Sequence, residues 1–508
     1  MKSVDTLFYL LHGFGEAIAP YNLLIAFAGS LLGTFVGVLP GLGPTAAMAI
    51  LLPLTTILGP AQGLMMMAAV YYGSMYGGST TAILINIPGE SSSVPTTLDG
   101  YPLARQGRAG AALGISAIGS FIAGIIGLIG LVSFAPALAS QALRFGPPEY
   151  FTVMLIALLT IVNLSGFPIK KSLVMSLFGL LISLVGVGIT SGKSRFDYGI
   201  DALEGGFNMI SIIVGLFAIT EVLKRLEQKP KQSKLMKVKS VFPSKKDLKQ
   251  SRFAILRGSL LGFFLGILPG ISATISSFLS YDLEKRVSKH PEKFGKGAIE
   301  GVAAPESANN ATSSGGFIPL FALGIPDNPP SAVLLAALMI YGLTPGPVLF
   351  QQNGEMVWTV IASMFVGNVI LIILNLPLVG LWAKLTEVPF GIMGPVILMV
   401  SIVGAYSVRN SLFDVVVAIV FGILGYFFDK YHWPVIPLVL GVVLGPGVER
   451  SFIQSMEMSS GNLLIFVERP IALTIIIIAM LLLVLSIFLA KRTVHREKVE
   501  REIHFSQL

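Results

Sequence analysis

The chain has 508 residues, of which 54% are hydrophobic and 12% are charged, whereas charged residues make up about 25% of a typical soluble domain. It contains no cysteine, which excludes disulfides, thiolate metal sites and cysteine nucleophiles. The formal net charge is +8, and basic residues are concentrated at residues 224–257, 285–296 and 491–501. Because these segments lie outside the long apolar stretches, the positive-inside rule predicts that they are cytoplasmic. Membrane topology therefore explains the positive charge, and the charge is not a sign of nucleic-acid binding.

Long apolar stretches predict an all-α polytopic membrane protein. Residues 471–490 include no charged side chain, and about 20 apolar residues span a hydrocarbon core of roughly 30 Å. With several shorter, interrupted segments, the chain is predicted to cross the membrane about 11 to 13 times. The other candidate spans are residues 21–39, 111–134, 150–164, 172–190, 207–222, 356–381, 391–405 and 412–428.

Two parts of the chain repeat each other. Residues 29–45 and 258–274 are identical at eleven of 17 aligned positions, and the match continues between residues 77–89 and 315–327. The repeat predicts two halves with the same fold.

The N-terminus is a poor signal peptide and is predicted to lie at the membrane interface. The predicted segments are an N-terminal interfacial segment (1–20), a first half (21–226), a basic cytoplasmic linker (227–251), a second half (252–456), a C-terminal transmembrane segment (457–490) and a cytoplasmic tail (491–508).

The charge distribution also predicts the relative orientation of the halves. The linker and the tail are both basic, so both are expected on the cytoplasmic side. One additional span after the second half then requires that half to begin inside and end outside. The first half would run the opposite way, as in the inverted repeats of many secondary transporters.

Each half contains a Pro-Gly pair inside an apolar stretch, Pro40-Gly41 and Pro269-Gly270. Proline removes a backbone donor, and glycine allows the chain to leave helical geometry. A helix broken at membrane depth persists only where it is buried in protein or faces a cavity. The alternative is a proline kink whose freed carbonyls are bonded by nearby hydroxyls. Glycines spaced by four before each pair permit close helix packing.

A second pair of breaks is predicted where glycine pairs precede an Ile-Pro sequence, at residues 76–90 and 309–330. Helix N-termini opened at these glycines would suit an anion such as a carboxylate. Carbonyls, Asn amides and a nearby acid are hard oxygen ligands that suit an alkali cation. Proton coupling through Glu306 or Asp327 is the alternative to a metal cation.

The candidate site residues follow from these breaks. The predicted substrate-binding residues are Gly41, Gly43, Thr45, Gly78, Ser79, Thr80, Gly270, Ser272, Thr274, Thr312, Ser313 and Ser314. The predicted ion-binding residues are Asn86, Asn309, Asn310, Asp327 and Asn328. The predicted helix-break residues are Pro40, Gly41, Pro88, Pro269, Gly270 and Pro326.

The sequence contains no enzyme motif. The five histidines lie outside the predicted breaks, and neither a His-Glu-x-x-His motif nor a phosphate-binding glycine loop followed by Lys-Ser/Thr is present. We therefore predict that the chain is not an enzyme and has neither a cofactor nor a transition metal. An ion gradient or another subunit would supply the energy for transport.

Four segments, residues 37–45, 72–80, 86–90 and 305–310, resemble the large membrane subunit of the tripartite tricarboxylate transporters, the TctA family. The resemblance extends over residues 21–490. It implies the translocating subunit of a bacterial inner-membrane complex, accompanied by a small four-helix membrane subunit and a periplasmic solute-binding protein. The implied substrate is a di- or tricarboxylate such as citrate, imported by symport with sodium or protons. A similar division of labour in the TRAP transporters implies an elevator motion.

Two other classes of membrane protein remain as alternatives, a passive channel and a structural scaffold subunit. A channel predicts uptake that continues when the ion gradient is collapsed, whereas a transporter predicts saturable uptake that stops. A scaffold makes the breaks unnecessary, so Pro40→Ala and Pro269→Ala would leave uptake largely intact. The transporter hypothesis predicts that both substitutions lower the initial uptake rate.

Overall fold

The computed structural model describes residues 3–39, 42–164, 167–188, 191–227, 242–268, 270–385, 388, 390–477 and 480. It is 81% helical, and the strands of the described part form one two-stranded antiparallel hairpin. The predicted all-α class is therefore confirmed. The tail 491–508, most of the linker and residues 481–490 of the last predicted span lie outside the described residues.

The helices and strands up to the linker belong to the predicted first half and the segment before it. In chain order they are α1 (Ser3–Ala17), α2 (Pro20–Val38), α3 (Gly43–Thr55), α4 (Pro60–Ile85), α5 (Val94–Leu103), α6 (Ala109–Ala142), α7 (Pro147–Leu164), α8 (Ile169–Ser183), β1 (Gly186–Val187), β2 (Ser194–Arg195), α9 (Asp201–Glu204), α10 (Met209–Ile213) and α11 (Thr220–Glu227). Short 3₁₀ or π-helical turns precede α5, α6 and α11 and span Ser91–Ser93, Ala104–Arg108 and Val214–Ile219.

The remaining helices follow the linker. They are α12 (Lys245–Gly266), α13 (Ala273–Val287), α14 (Glu300–Leu323), α15 (Pro329–Ile340), α16 (Pro347–Gln352), α17 (Gly354–Asn375), α18 (Val379–Leu385), α19 (Phe390–Arg409), α20 (Leu412–Lys430), α21 (Val435–Met458) and α22 (Ile465–Glu468). Helix α12 begins before the predicted residue 252, because Ser244 and Asp247 form a capping box at its N-terminus.

Within the described ranges, six helical segments are long and apolar enough to cross a membrane: Pro20–Val38, Ser91–Ala142, Gly354–Asn375, Phe390–Arg409, Leu412–Lys430 and Val435–Met458. Three shorter apolar helices lie at Gly43–Thr55, Pro147–Thr160 and Pro329–Ile340. These segments agree with the predicted polytopic membrane class. The count of 11 to 13 passes and the inverted orientation of the halves stay predictions.

Helices α4 and α14 are buried on all sides. Every residue from Gly63 to Ile85 and from Gly301 to Ala322 is buried. The glycine stripes explain how neighbouring helices come so close to them. A Cβ at Gly33 of α2 would overlap the backbone of Val70, and a Cβ at Gly262 of α12 would overlap the backbone of Ala308. The same packing thus occurs in both halves, as small residues at helix interfaces allow.

Two compact units are present, and they do not coincide with the sequence halves. The first comprises Met1–Arg144 and Phe207–Tyr431, and the second comprises Phe145–Gly206 and His432–Leu508. In the second unit, Gly179 of α8 lies against Gly441 of α21. In the first unit, Gly215 lies against Ala418 of α20. Each unit therefore combines helices from both halves, and the predicted boundaries of the halves stay a prediction.

The close packing at these glycines predicts that Gly→Ala substitutions at packed and unpacked positions differ in their effect on stability. Gly33→Ala and Gly262→Ala should each lower the free energy of unfolding by about 1–3 kcal/mol, because the added methyl group meets backbone atoms that cannot move aside. Thermal unfolding in detergent measures this effect. Gly15→Ala is the control, since a Cβ there meets nothing within 4 Å. Equal unfolding temperatures for all three variants would contradict the packing argument.

Candidate functional site

Two equivalent non-helical links follow α4 and α14. The first link comprises residues 86–90 and the second link comprises residues 324–328. The first begins at Asn86 (φ 56°) and the second at Gly324 (φ 72°), both in the left-handed conformation that ends many helices. Pro88 and Pro326 follow within the links, so the chain leaves helical geometry at matching positions of the two halves.

The glycine pairs themselves are not the points where the helices open. Helix α4 continues through Gly78 and α14 continues through Gly316, so the predicted helix N-termini at these glycines were wrong. A Cβ at Gly78 would meet the side chain of Glu90, and a Cβ at Gly316 would meet the carboxyl group of Asp327. The glycines are therefore needed because each link folds back against the helix that precedes it.

Each link ends at a residue that caps the next helical segment. Glu90 and Ser93 form a capping box before α5. Asn328 and Ser331 form the equivalent box before α15, where Asn328 Oδ1 accepts a hydrogen bond of 2.9 Å from the backbone N–H of Ser331. Such reciprocal bonds satisfy N–H groups that a helix start leaves unpaired, which matters most where water is absent.

The capping residues also connect the two halves. Asn309 Nδ2 of α14 donates to Glu90 Oε1 over 2.8 Å. Asn328 Nδ2 donates to the hydroxyl oxygen of Tyr71 on α4 over 2.9 Å. Glu90 and Asn328 occupy equivalent positions of the repeat, as do Tyr71 and Asn309. Each link is therefore bonded to the central helix of the other half.

Glu306 lies among hydroxyl groups at the same centre. It is fully buried, and it accepts hydrogen bonds from Ser79 on Oε2 and from Thr96 on Oε1. Within the described part of the chain, Glu90, Glu306 and Asp327 form no ion pair with a basic side chain. Burying a charge without a partner is costly, so these groups need a proton or a bound cation.

Further buried polar contacts surround this centre. Tyr72 donates to Ser314 over 3.0 Å, Tyr76 donates to Asn368 over 2.8 Å, and Asn310 donates to Ser120 over 2.7 Å. The hydroxyl and amide groups of α4 and α14 are thus bonded to one another or to polar side chains of α6 and α17. We use the name polar centre for the buried side chains Tyr71, Tyr72, Tyr76, Ser79, Glu90, Thr96, Glu306, Asn309, Asn310, Ser314, Asp327 and Asn328.

The described residues at the predicted Pro-Gly break of the second half lie next to the links. The backbone N–H of Gly270 donates to the carbonyl of Asp327 over 3.1 Å. The hydroxyls of Ser91 and Thr274 lie 2.8 Å apart. Ser272 caps the N-terminus of α13. Pro40, Gly41 and Pro269 lie outside the described residues, so their geometry stays a prediction.

Not every predicted site residue belongs to the polar centre. Thr312 donates to the carbonyls of Gly262 and Ala308, which fixes α12 against α14. Ser313 donates to the carbonyl of Asn309 within its own helix. Gly43 and Thr45 lie in the first turn of α3, and Thr80 is buried inside α4. Their predicted roles in binding remain untested.

Six members of the polar centre were absent from the predicted site residues: Tyr71, Tyr72, Tyr76, Glu90, Thr96 and Glu306. Of these, Glu306 had been named only as an alternative for proton coupling. An acid within an apolar segment is a signal for function, and by that reasoning Glu90 could have been selected. Thr96 and Tyr71 carry no such signal, because their roles arise from contacts with distant segments. Among the described residues, no three His, Cys, Asp or Glu side chains cluster in a way that could hold a metal ion.

An all-α membrane protein with a repeated fold and a buried polar centre shared by both halves has the architecture of a transport protein. The family model described as "Tripartite tricarboxylate transporter TctA family" matches residues 23–440. The chain therefore belongs to the TctA family and is a component of a tripartite tricarboxylate transporter.

Two relatives come from Agrobacterium vitis. The "Uncharacterized 52.8 kDa protein in TAR-I ttuC' 3'region" is 44% identical over 497 residues, which cover 98% of this chain and 99% of the relative. The "Uncharacterized protein in TAR-II ttuC' 3'region" is 44% identical over 226 residues, which cover 44% of this chain and 93% of the relative. No solved structure matches the chain.

The hydroxyl groups around Glu306 predict that substitutions of two neighbouring threonines differ in their effect on stability. Thr96→Val should lower the free energy of unfolding by about 1–3 kcal/mol, because it leaves an oxygen of a buried carboxyl group without its donor. Thr97→Val is the matched control, since the Thr97 hydroxyl donates only to the backbone carbonyl of Val94. Thermal unfolding in detergent compares the two variants. An equal effect of both substitutions would show that the Thr96 hydroxyl contributes nothing specific.

Proposed function

We propose that this chain is the translocating subunit of an ion-coupled importer for di- or tricarboxylates, citrate-like organic anions, in a bacterial inner membrane. A periplasmic solute-binding protein would deliver the anion, and a small four-helix membrane subunit would complete the complex. Membership of the TctA family supports transport of this substrate class. The coupling ion would be sodium or a proton.

One observation carries the proposal: the polar centre contains three buried acids and, among the described residues, no basic side chain paired with them. A carboxylate substrate cannot enter such a site alone, because like charges repel strongly where water is excluded. Cations bound together with the substrate would offset both sets of negative charge. Coupling is then a consequence of electrostatics, since the anion binds well only when cations have already offset the charge of the acids.

The links offer the anion a place to bind. Helix α13 begins close to the second link, and helix N-termini attract carboxylates through free N–H groups and the helix dipole. The bonds Asn309–Glu90 and Asn328–Tyr71 join the two halves through one hydrogen bond each. Such bonds can exchange for contacts to a solute at low cost. An elevator motion would then carry the filled site across the membrane.

Reconstituted vesicles test this function directly. Vesicles that contain the whole complex, with the binding protein loaded with labelled citrate outside, should accumulate citrate when an inward sodium or proton gradient is imposed. Each gradient is imposed in turn, and an ionophore for that ion should stop accumulation. Uptake that is unaffected by collapse of both gradients would favour the passive channel. Absence of citrate uptake in every condition would contradict the substrate assignment.

Two substitutions test the polar centre in transport. Ser79→Ala and Asn310→Ala should raise the half-saturating concentration of substrate or coupling ion several-fold, because each removes a polar group next to Glu306. Ser133→Ala is the control, since Ser133 is exposed on α6 and donates to the carbonyl of Ile129. Initial uptake rates over a range of both concentrations give the result. Unchanged kinetics in both variants would remove these residues from the site.

A further inference from the structure

Exposed basic side chains are concentrated at the start of α12 and in the segment between α13 and α14. Residues 104–108, 245–252 and 285–296 together contain eleven Lys or Arg residues and two acidic residues. Arg108 and Arg286 each form an ion pair with an acid. The other nine are exposed, and none of them forms an ion pair with a described residue. We call these nine residues the basic surface: Arg105, Lys245, Lys246, Lys249, Arg252, Lys285, Lys289, Lys293 and Lys296.

Direct contacts bring the three basic segments together at one end of the helices. Gln106 Nε2 donates to the carbonyl of Lys296 over 2.8 Å. Arg108 lies 2.5 Å from Asp247 in the first turn of α12. Residues from both halves of the repeat therefore contribute to the basic surface.

A buried carboxyl group fixes the backbone of the segment between α13 and α14. Asp99 of α5 is fully buried. Its Oδ1 accepts hydrogen bonds of 2.7 Å and 2.8 Å from the backbone N–H groups of Gly297 and Ala298, and its Oδ2 accepts one of 2.8 Å from the Tyr281 hydroxyl. The lysines of this segment are thus presented on a fixed backbone, which lowers the entropy lost when they bind a ligand.

An exposed row of apolar side chains follows the basic residues along α12. Its members are spaced by three or four residues, which places them on one face of the helix. Each is between 44% and 54% exposed. We call these residues the apolar stripe: Phe253, Leu256, Leu260 and Phe264.

The apolar stripe continues directly into the basic surface. Lys245, Lys249 and Arg252 precede it at the same helical spacing. The guanidinium carbon of Arg252 lies 4.6 Å from the centre of the Phe253 ring. The positive charge therefore begins at the point where the exposed apolar face begins.

The first half provides an internal comparison. Leu24, Phe27, Leu31 and Phe35 of α2 are equivalent to the apolar stripe and are also exposed. Residues 16–23, which are equivalent to 245–252, contain no Lys or Arg. The apolar face is therefore common to both halves, whereas the basic residues before it occur in the second half alone. The packing that the halves share does not require them.

The chemistry of the two adjoining surfaces defines their ligand. Unpaired ammonium and guanidinium groups attract phosphate oxygens, and exposed apolar side chains of a membrane protein contact acyl chains. A soluble anion would occupy only the basic surface, and an acidic protein would leave the apolar stripe uncovered. An amphiphile with an anionic head and apolar chains fits both surfaces.

We propose that the basic surface binds the headgroups of anionic phospholipids, whose acyl chains lie along the apolar stripe of α12. The inference goes beyond the proposed function, because it involves neither the transported solute nor the coupling ion. The bound lipid connects segments of both halves, so it stabilises the folded chain. Its binding can be measured without transport.

The experiment measures thermal unfolding of the full-length chain in a neutral detergent with added lipid. A ligand that binds only the folded state raises the unfolding temperature as its concentration rises. Phosphatidylglycerol should raise this temperature saturably and more than phosphatidylcholine with the same acyl chains. Sodium chloride at about 0.5 M should reduce the difference, because salt screens exposed charges. Equal effects of the two lipids would overturn the proposal.

A triple variant tests whether the basic surface is responsible. Lys245→Gln, Lys249→Gln and Lys296→Gln in one chain should weaken the apparent affinity for phosphatidylglycerol by about tenfold or more, since each basic residue adds to the attraction. The response to phosphatidylcholine should not change. All three side chains are exposed, so the variant is expected to fold. An undiminished affinity for phosphatidylglycerol would overturn the proposal.

Two single variants with the same loss of charge test the location. Arg105 and Arg144 are both exposed and lie beyond opposite ends of α6. This helix has 34 residues, which corresponds to a length of about 50 Å. Arg105→Gln should weaken the affinity for phosphatidylglycerol several-fold, whereas Arg144→Gln should leave it unchanged. An equal loss in both variants would show a response to net charge alone and would overturn the site.

Soluble probes distinguish a lipid from other anionic ligands. Inorganic phosphate and glycerophosphate should stabilise the wild-type chain less than phosphatidylglycerol does at the same concentration, because they lack acyl chains. Equal stabilisation by either one would assign the surface to a free phosphate and overturn the lipid. Stronger stabilisation by polyglutamate than by phosphatidylglycerol would assign the surface to an acidic protein and would also overturn it.

Discussion

Backbone groups at membrane depth must find partners inside the protein, because hydrocarbon offers none. This constraint organises the two links at residues 86–90 and 324–328. Each link begins at a left-handed residue and ends at a capping box, so its N–H groups are bonded close to where the helix stops. Glycines on α4 and α14 let the links approach, and glycines on α2 and α12 let these two helices pack closely against α4 and α14.

Because the same constraint excludes water from the polar centre, charged groups there need partners inside the protein. Hydroxyl and amide groups can satisfy Glu90 and Glu306 by hydrogen bonding, but they cannot supply positive charge. Under the proposed function, protons or cations that enter with the solute would supply the balancing charge. The acids that appear unfavourable for a carboxylate transporter therefore become the reason why transport and ion movement would be linked.

The two halves repeat the fold without repeating the chemistry. Glu90 and Asn328 cap equivalent helical segments, yet one carries an acid and the other an amide. Asp327 has glycine as its counterpart at Gly89. A shared backbone with different side chains gives one scaffold two kinds of polar environment. Repetition thus provides the geometry of the centre, and divergence between the halves provides its different polar side chains.

The sequence alone determined the membrane class, the repeat and the positions of the Ile-Pro links, because hydropathy and glycine-proline spacing are local signals. It could not place the helix ends, since Gly78 and Gly316 break helices as readily as they permit close packing. Only the tertiary structure decided which side chains meet. Thr96 reaches Glu306, and Asn309 reaches Glu90, across more than two hundred positions of sequence. Such pairings depend on how whole helices pack, and no local pattern records that packing.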